Sequence, residues 1–321
     1  MHCTLLVPQL LKFAGAVAQG SPSLATLLAR GDASDLPPTG ADGWLCEHFG
    51  IQRQHDWPVA ALTLPLDGGE PGSGYWLRCD PVHFHVRQNR MHLSATEKPA
   101  PDEAAALVAA LNAHFRDHGL HFHAGHDGRW YVHCDTPADL LTCPLADAAG
   151  GAIDACMPTG ADSGRWRRTL NEAQMILHAH PVNAAREARG LLALNSLWLW
   201  GGGSAPLVTA SARVHVWADD ALARALAARC ALPSDALPAS AAAVHTRGAD
   251  ALVVLNPAHD AAAWNAIGRD WIAPCHAALR ARRIRSLGIV ATAAQQVRRY
   301  DITAAHLWRW WRRTPDLGAH D

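Results

Sequence analysis

The densest group of side chains with chemical potential lies between Trp166 and Gly203. In GRWRRTLNEAQMILHAHPVNAAREARG, residues 164–190, Trp166, Leu170, Ala173 and Leu177 repeat at helical spacing and define a core-facing stripe. The same helix carries Asn171, Glu172, Gln174, His178 and His180, and Pro181 limits it. Asn183, Arg186 and Glu187 follow. A solvated helix face is usually Lys and Glu, so amides and imidazoles at this density point either to ligand contacts or to a satisfied polar network that pins the helix. Next comes LNSLWLWGGG, an apolar strand with Asn195 near its start and Gly201, Gly202 and Gly203 at its end. Successive glycines permit close approach and positive φ. Their amides can cradle an anion or simply form a tight turn.

Two other groups have alternatives of their own. His114 and His118 are four apart on a helix, a spacing that can chelate a metal, with His121, His123, His126, His133, His83 and His85 nearby in sequence. A weakly charged histidine-rich surface is the competing reading. Near the C-terminus, Trp308 and Trp311 with Arg309, Arg312 and Arg313 can stack nucleobases or dock on a core. No nucleophile elbow, phosphate-binding P-loop, dinucleotide fingerprint or His-Glu-x-x-His motif occurs.

The elements that would position these groups read as an α/β fold. The chain has 321 residues, 49% of them apolar, enough for one large or two ordinary domains. Formal net charge is −1, so no global field draws nucleic acid or an anionic membrane, and neither is expected as a partner. No apolar run is long enough for a membrane span. Lys12 and Pro8 interrupt the first apolar stretch, which reads as a buried strand rather than an export signal. With eight cysteines and no Cys-x-x-Cys, a cytoplasmic location with reduced, mostly buried thiols is expected.

Ser21 with Pro22 marks a helix start over 21–30. Strands are predicted at 75–79, 82–87, 91–94 and 130–133, with a helix from Asp102 to about His118. Beyond residue 164 the pattern alternates: strands at 192–200, 213–217, 252–255 and 287–291, with helices after Asp219 and over 260–282. Such alternation predicts a largely parallel sheet flanked by helices, with ligands beyond the strands' carboxyl ends at Gly201–Gly203, Asp219-Asp220 and Asn256–His259. The expected organisation is an N-terminal strand and helix joining the core over 1–73, an inserted α+β unit over 74–142, and an α/β core over 143–321.

The segment WRRTLNEAQMILHAHPVNAAREARG with LNSLWLWGGG, together with RCDPVHFHV, RWYV and LWRWWRR, resembles bacterial proteins called regulatory protein, RpfE type, which are phosphoglycerate mutase-like. More distantly it resembles the archaeal-type cofactor-independent phosphoglycerate mutases of the alkaline phosphatase superfamily, through His180, Asn183, Arg186, Gly190, Asn195, Gly201 and Gly203. That resemblance implies an alkaline-phosphatase-like core and a phosphoester or carboxylate ligand. It also implies an acidic metal motif after the first strand and a late Asp-His motif, yet LLVPQLL and LGIVATAAQQ contain neither. The expectation is therefore a mutase-like protein that has lost catalysis and binds a small anionic ligand or a regulatory protein partner. Its ligand contacts would be Asn171, Glu172, His178, His180, Asn183, Arg186, Asn195 and Gly201–Gly203, with no metal ligand assigned. The alternative is an active metal-dependent mutase or phosphoester hydrolase. It would use manganese or zinc on a set drawn from His178, His180, His259, Asp219 and Asp220.

Overall fold

The computed structural model describes residues 1–94, 96–149, 153–208, 213–258 and 260–312, without the side chains of residues 16, 18 and 19. It divides into two compact units: Met1–Gly50 with Val208–Asp321, and Ile51–Leu207. The strands, in chain order, are β1 (His2–Val7), β2 (Asp32–Leu36), β3 (Tyr75–Arg87), β4 (Arg90–Ser94), β5 (Leu120–Ala124) and β6 (Trp130–Cys134). They continue with β7 (Ser196–Gly203), β8 (His215–Ala218), β9 (Ser234–Asp235), β10 (Ala251–Val254), β11 (Ser286–Ala293) and β12 (Gln296–Thr303). No described helix is long and apolar enough to cross a membrane.

The first unit holds a seven-stranded sheet in the order β2-β12-β11-β1-β10-β8-β9. Strands β11, β1, β10, β8 and β9 are parallel; β12 runs antiparallel beside β11, and β2 pairs antiparallel with β12 at the edge. The expected α/β fold, largely parallel and flanked by helices, is the one observed. Strand β1 is central because its residues are apolar on both faces: Leu5 lies beside Val253 and Ile289 in register. Cys3, Leu5 and Val7 point to one face and pack with Leu27, Trp271 and Leu279 from helices Pro22–Arg30 and Ile267–Arg280. The helix starts follow side-chain capping: Ser21 Oγ accepts from Leu24 N at 3.4 Å and Asp260 Oδ1 from Ala263 N at 2.7 Å. Helix Ala221–Arg229 is capped by Asp220 rather than the expected Asp219, through Ala223 N at 2.8 Å. Asp219 instead accepts from Leu237 N at 3.2 Å.

The second unit is an antiparallel five-stranded sheet: β4-β3-β6-β5, with β7 along the other side of β3. The expected strands 75–79 and 82–87 are one strand of 13 residues, carried through Pro81. Helices Pro101–Phe115 and Ser163–His178 cover one face, where Leu107, Leu111, Trp166 and Leu177 meet Leu77, Val132 and Leu199.

Two expectations are corrected here. The strand near 192–200 was placed in the parallel core, but β7 pairs antiparallel with β3. It is buried on both faces because Tyr75, Leu77 and Trp166 lie on one side and Trp198 packs with Val82 and Ile153 on the other. An apolar run reports burial, and burial is compatible with either strand direction. The inserted unit therefore spans 51–207 rather than 74–142, and the expected core over 143–321 gives up its first part.

Candidate functional site

The polar residues of 171–203 occupy the second unit, and most of them bond to main chain. Asn183 donates from Nδ2 to Leu177 O at 2.7 Å and Leu194 O at 3.0 Å, and Oδ1 accepts from Leu194 N at 2.8 Å. It thereby ties the end of helix Ser163–His178 to the approach of β7. Arg186 has 0% exposure and donates to Leu192 O at 3.1 Å, Glu97 O at 2.8 Å and the Glu103 carboxylate at 2.7 Å. Burial pushes Glu103 up, but the Ala100 N–H and the guanidiniums of Arg189 and Arg186 outweigh it and hold its carboxyl below the usual range. Asn195 exchanges two bonds with the Phe84 main chain at 2.8 and 2.9 Å. His180 caps helix Pro181–Ala188 by accepting from Val182 N at 3.2 Å.

The glycines extend a strand rather than forming a turn beyond it. Gly201, Gly202 and Gly203 lie within β7. A β-carbon on Gly201, whose φ is +66°, would meet Val59 Cβ at 2.8 Å, and one on Gly203 would meet Pro58 Cβ at 2.6 Å. One on Gly202 would strike the Tyr75 hydroxyl and Leu77. Their lack of side chains admits Pro58, Val59 and Tyr75 against the strand. The Gly201 amide donates to Thr142 Oγ1 at 3.0 Å, and that hydroxyl also bonds the buried Asp56 carboxylate. Burial is the largest influence on Asp56 and raises its pKa.

Of the expected contacts, Asn171 and His178 are exposed, and Glu172, His180 and Asn195 are partly so. Glu172 pairs with His114 at 2.9 Å, both half-exposed. The structure thus holds the buried Asn183 and Arg186 and the half-buried Asn195 through bonds to neighbouring main chain and to Glu103, and leaves Asn171, Glu172 and His178 outside that set. Composition alone did not separate these roles, because amide and guanidinium groups suit both.

In the first unit, the carboxyl ends of the parallel strands present Gln9, Asp219, Asn256 and Thr292. The Gln9 N–H donates to Thr292 Oγ1 at 3.3 Å, and Asn256 Nδ2 to Asp219 at 3.4 Å. His259 lies outside the described residues. Among the described residues, three groups of metal-ligating side chains converge: Cys3–His245–Cys275, His114–His118–Glu172 and His121–His133–Asp135. None contains His178, His180, Asp219 or Asp220.

A feature missed in the sequence lies at the opposite end of the same sheet, where β1 and β11 begin. A cleft of about 1320 Å³ is lined by Arg30, His276, Arg280, Arg282, Arg283 and Arg285, and, among the described residues, by no carboxylate. Arg282, Arg283 and Arg285 are exposed, while Arg30 donates to the Leu307 carbonyl. Burial, then Arg280 and Arg30, lowers the pKa of His276, whose ring meets Ser23 Oγ at 3.2 Å. Guanidiniums lining one cleft, with no carboxylate among its described lining, offer forked donors to phosphate or carboxylate. The run ARRIR was the available signal, but its partners come from residues 30 and 276 and from the C-terminal segment.

With this geometry in view, known proteins are informative. Residues 70–183, within the second unit, match the sequence profile of the family described as 2,3-bisphosphoglycerate-independent phosphoglycerate mutase. The chain is similar to these mutases. It is 29% identical over 216 residues to the 2,3-bisphosphoglycerate-independent phosphoglycerate mutase of Methanosarcina mazei, covering 62% of this chain and 52% of that protein. It is 31% identical over 202 residues to the enzyme of the same name from Methanosarcina acetivorans, covering 59% and 50%. The chain thus spans about half the length of the curated mutases it matches. In fold it is similar to the PH0037 protein of Pyrococcus horikoshii, with a TM-score of 0.54 at 12% identity over 94% of this chain and 87% of that one.

Proposed function

We propose that this protein is a phosphoglycerate mutase-like member of the alkaline phosphatase superfamily, of the RpfE regulatory type, that binds a phosphorylated or carboxylate ligand without turning it over. The observation that carries this reading is the distribution of charge over the first unit. The carboxyl edge of the sheet, where ligands of such folds sit, carries Gln9, Asn256 and the buried Thr292 beside Asp219, while Asp220 and Asp260 at the same edge are taken up as helix caps. Two-metal phosphoryl transfer needs several carboxylates and imidazoles in one cage. Positive charge gathers instead at Arg280, Arg282, Arg283 and Arg285. With a net charge of −1 the chain has no global positive field, which favours a small anion at this cleft over a long polyanion. The free thiols suit a reducing cytoplasm.

The test has two arms. Phosphoglycerates and a general phosphoester, each with magnesium, manganese, cobalt or zinc, are expected to show no turnover. Phosphate and 3-phosphoglycerate are expected to bind in calorimetry, with binding lost in the Arg283→Ala/Arg285→Ala double variant. Metal-dependent turnover abolished by His178→Ala would establish the alternative, an active mutase or hydrolase with an atypical metal set. A random oligonucleotide binding the cleft more tightly than the small anions would replace the ligand class.

A further inference from the structure

We propose that Cys3, His245 and Cys275 form a buried zinc site in the first unit, independent of the anion-binding reading above. The three residues come from separate elements: Cys3 from the central strand β1, His245 from the end of helix Ala241–His245, and Cys275 from helix Ala273–Arg280. One ligand atom from each lies within 4.8 Å of the other two, and Cys275 Sγ is 3.6 Å from His245 Nε2. Both cysteines have 0% exposure, whereas His245 is half-buried and opens the trio toward solvent.

Burial and chemistry together select the ion. Thiolate and imidazole donors suit a soft or borderline cation, not magnesium or calcium. Cys3 and Cys275 belong to the apolar cluster formed with Leu5, Leu27 and Leu279, where net charge is expensive. Two thiolates, a neutral imidazole and Zn²⁺ sum to zero, whereas copper(I) on the same set leaves one negative charge. Three protein ligands leave one coordination position on the His245 side for water or an added donor. Binding replaces two S–H bonds by two S–Zn bonds and releases two protons to solvent, without oxidation or reduction. The ion would staple the helical layer to the sheet's central strand.

The more exposed trios His114–His118–Glu172 and His121–His133–Asp135 are the rival sites among the described residues. Reduced, chelator-treated full-length protein titrated with zinc alone is expected to take up one ion per chain. It should release two protons, read from calorimetry in buffers of different ionisation enthalpy. The cobalt-substituted protein should show thiolate charge-transfer absorption. Cys275→Ala and the less buried His245→Ala should each lose the ion and the absorption while keeping the far-ultraviolet circular dichroism of the parent. The proposal is overturned by a reduced protein that binds no zinc. It is equally overturned by uptake that survives both variants but is lost on His114→Ala or His121→Ala, or by a Cys3–Cys275 disulfide in protein purified without reductant.

Discussion

Arg186 Nη1 lies 2.7 Å from Glu103 Oε2, joining the helix before β7 to the first turn of helix Pro101–Phe115 with both groups shielded from water. Removing the cation would leave a carboxylate largely buried with only Arg189 and the Ala100 N–H beside it. Arg186→Met is expected to cost about 3–5 kcal/mol, the range for breaking a buried pair from one side. His178→Ala, at an exposed position, should stay within about 0.5 kcal/mol of the parent. Urea denaturation of both variants checks this. Equal losses would contradict the assignment of Arg186 to the scaffold.

Acid should weaken the second unit through two carboxyls. Burial pushes Asp67 up, but Arg129, Tyr131 and the His126 N–H outweigh it and hold its pKa well below the ordinary 3.8. Glu103 is likewise held below 4.5. A depressed folded-state pKa means the folded state binds fewer protons, so the stabilisation is present above the unfolded values and lost as pH falls through the folded ones. Asp56, raised by burial, has the opposite sign: its protonated form favours folding, and that contribution is lost as pH rises through its folded-state value. Denaturation midpoints from pH 7 down to 3 should therefore fall for the parent. Glu103→Gln should start lower and depend less on pH, and an unchanged slope would count against Glu103 as a source.

Gly202→Ala separates packing from ligand binding at the glycine triplet. The added methyl would meet Leu77 Cδ2 at 2.7 Å as well as the Tyr75 hydroxyl. Overpacking of this kind costs about 1–3 kcal/mol. The melting temperature should drop while phosphate binding by the folded protein is unchanged. Loss of phosphate binding with an unaltered melting temperature would restore the glycines as an anion loop.

Charge reversal in the cleft should do the reverse. Arg283→Glu is exposed, so stability should move by no more than about 0.5 kcal/mol. Phosphate affinity should fall at least about tenfold. In the parent, nuclear magnetic resonance titration of His276 should give a pKa below the ordinary 6.5, because burial and then Arg280 and Arg30 disfavour its cation. Bound phosphate supplies negative charge and should raise it. A His276 titration insensitive to phosphate would place the anion elsewhere.

Local features were legible in the sequence because local forces set them. Ser21 and Asp260 cap helices where a side-chain oxygen was available, and Trp166, Ala173 and Leu177 face a core because their spacing matches the helical repeat. Within the polar density at 171–186, Asn183 and Arg186 are buried and bonded. Whether such side chains met a ligand or neighbouring main chain depended on what lay opposite. Asn183 was satisfied by Leu194, Arg186 by Glu103 and Asn195 by Phe84, up to 111 residues away in sequence. Tertiary structure alone also put β7 beside β3, since an apolar run specifies burial but not its partner. It alone gathered Arg30 with Arg283, and Cys3 with His245 and Cys275, because convergence of distant groups follows from sheet order rather than from spacing along the chain.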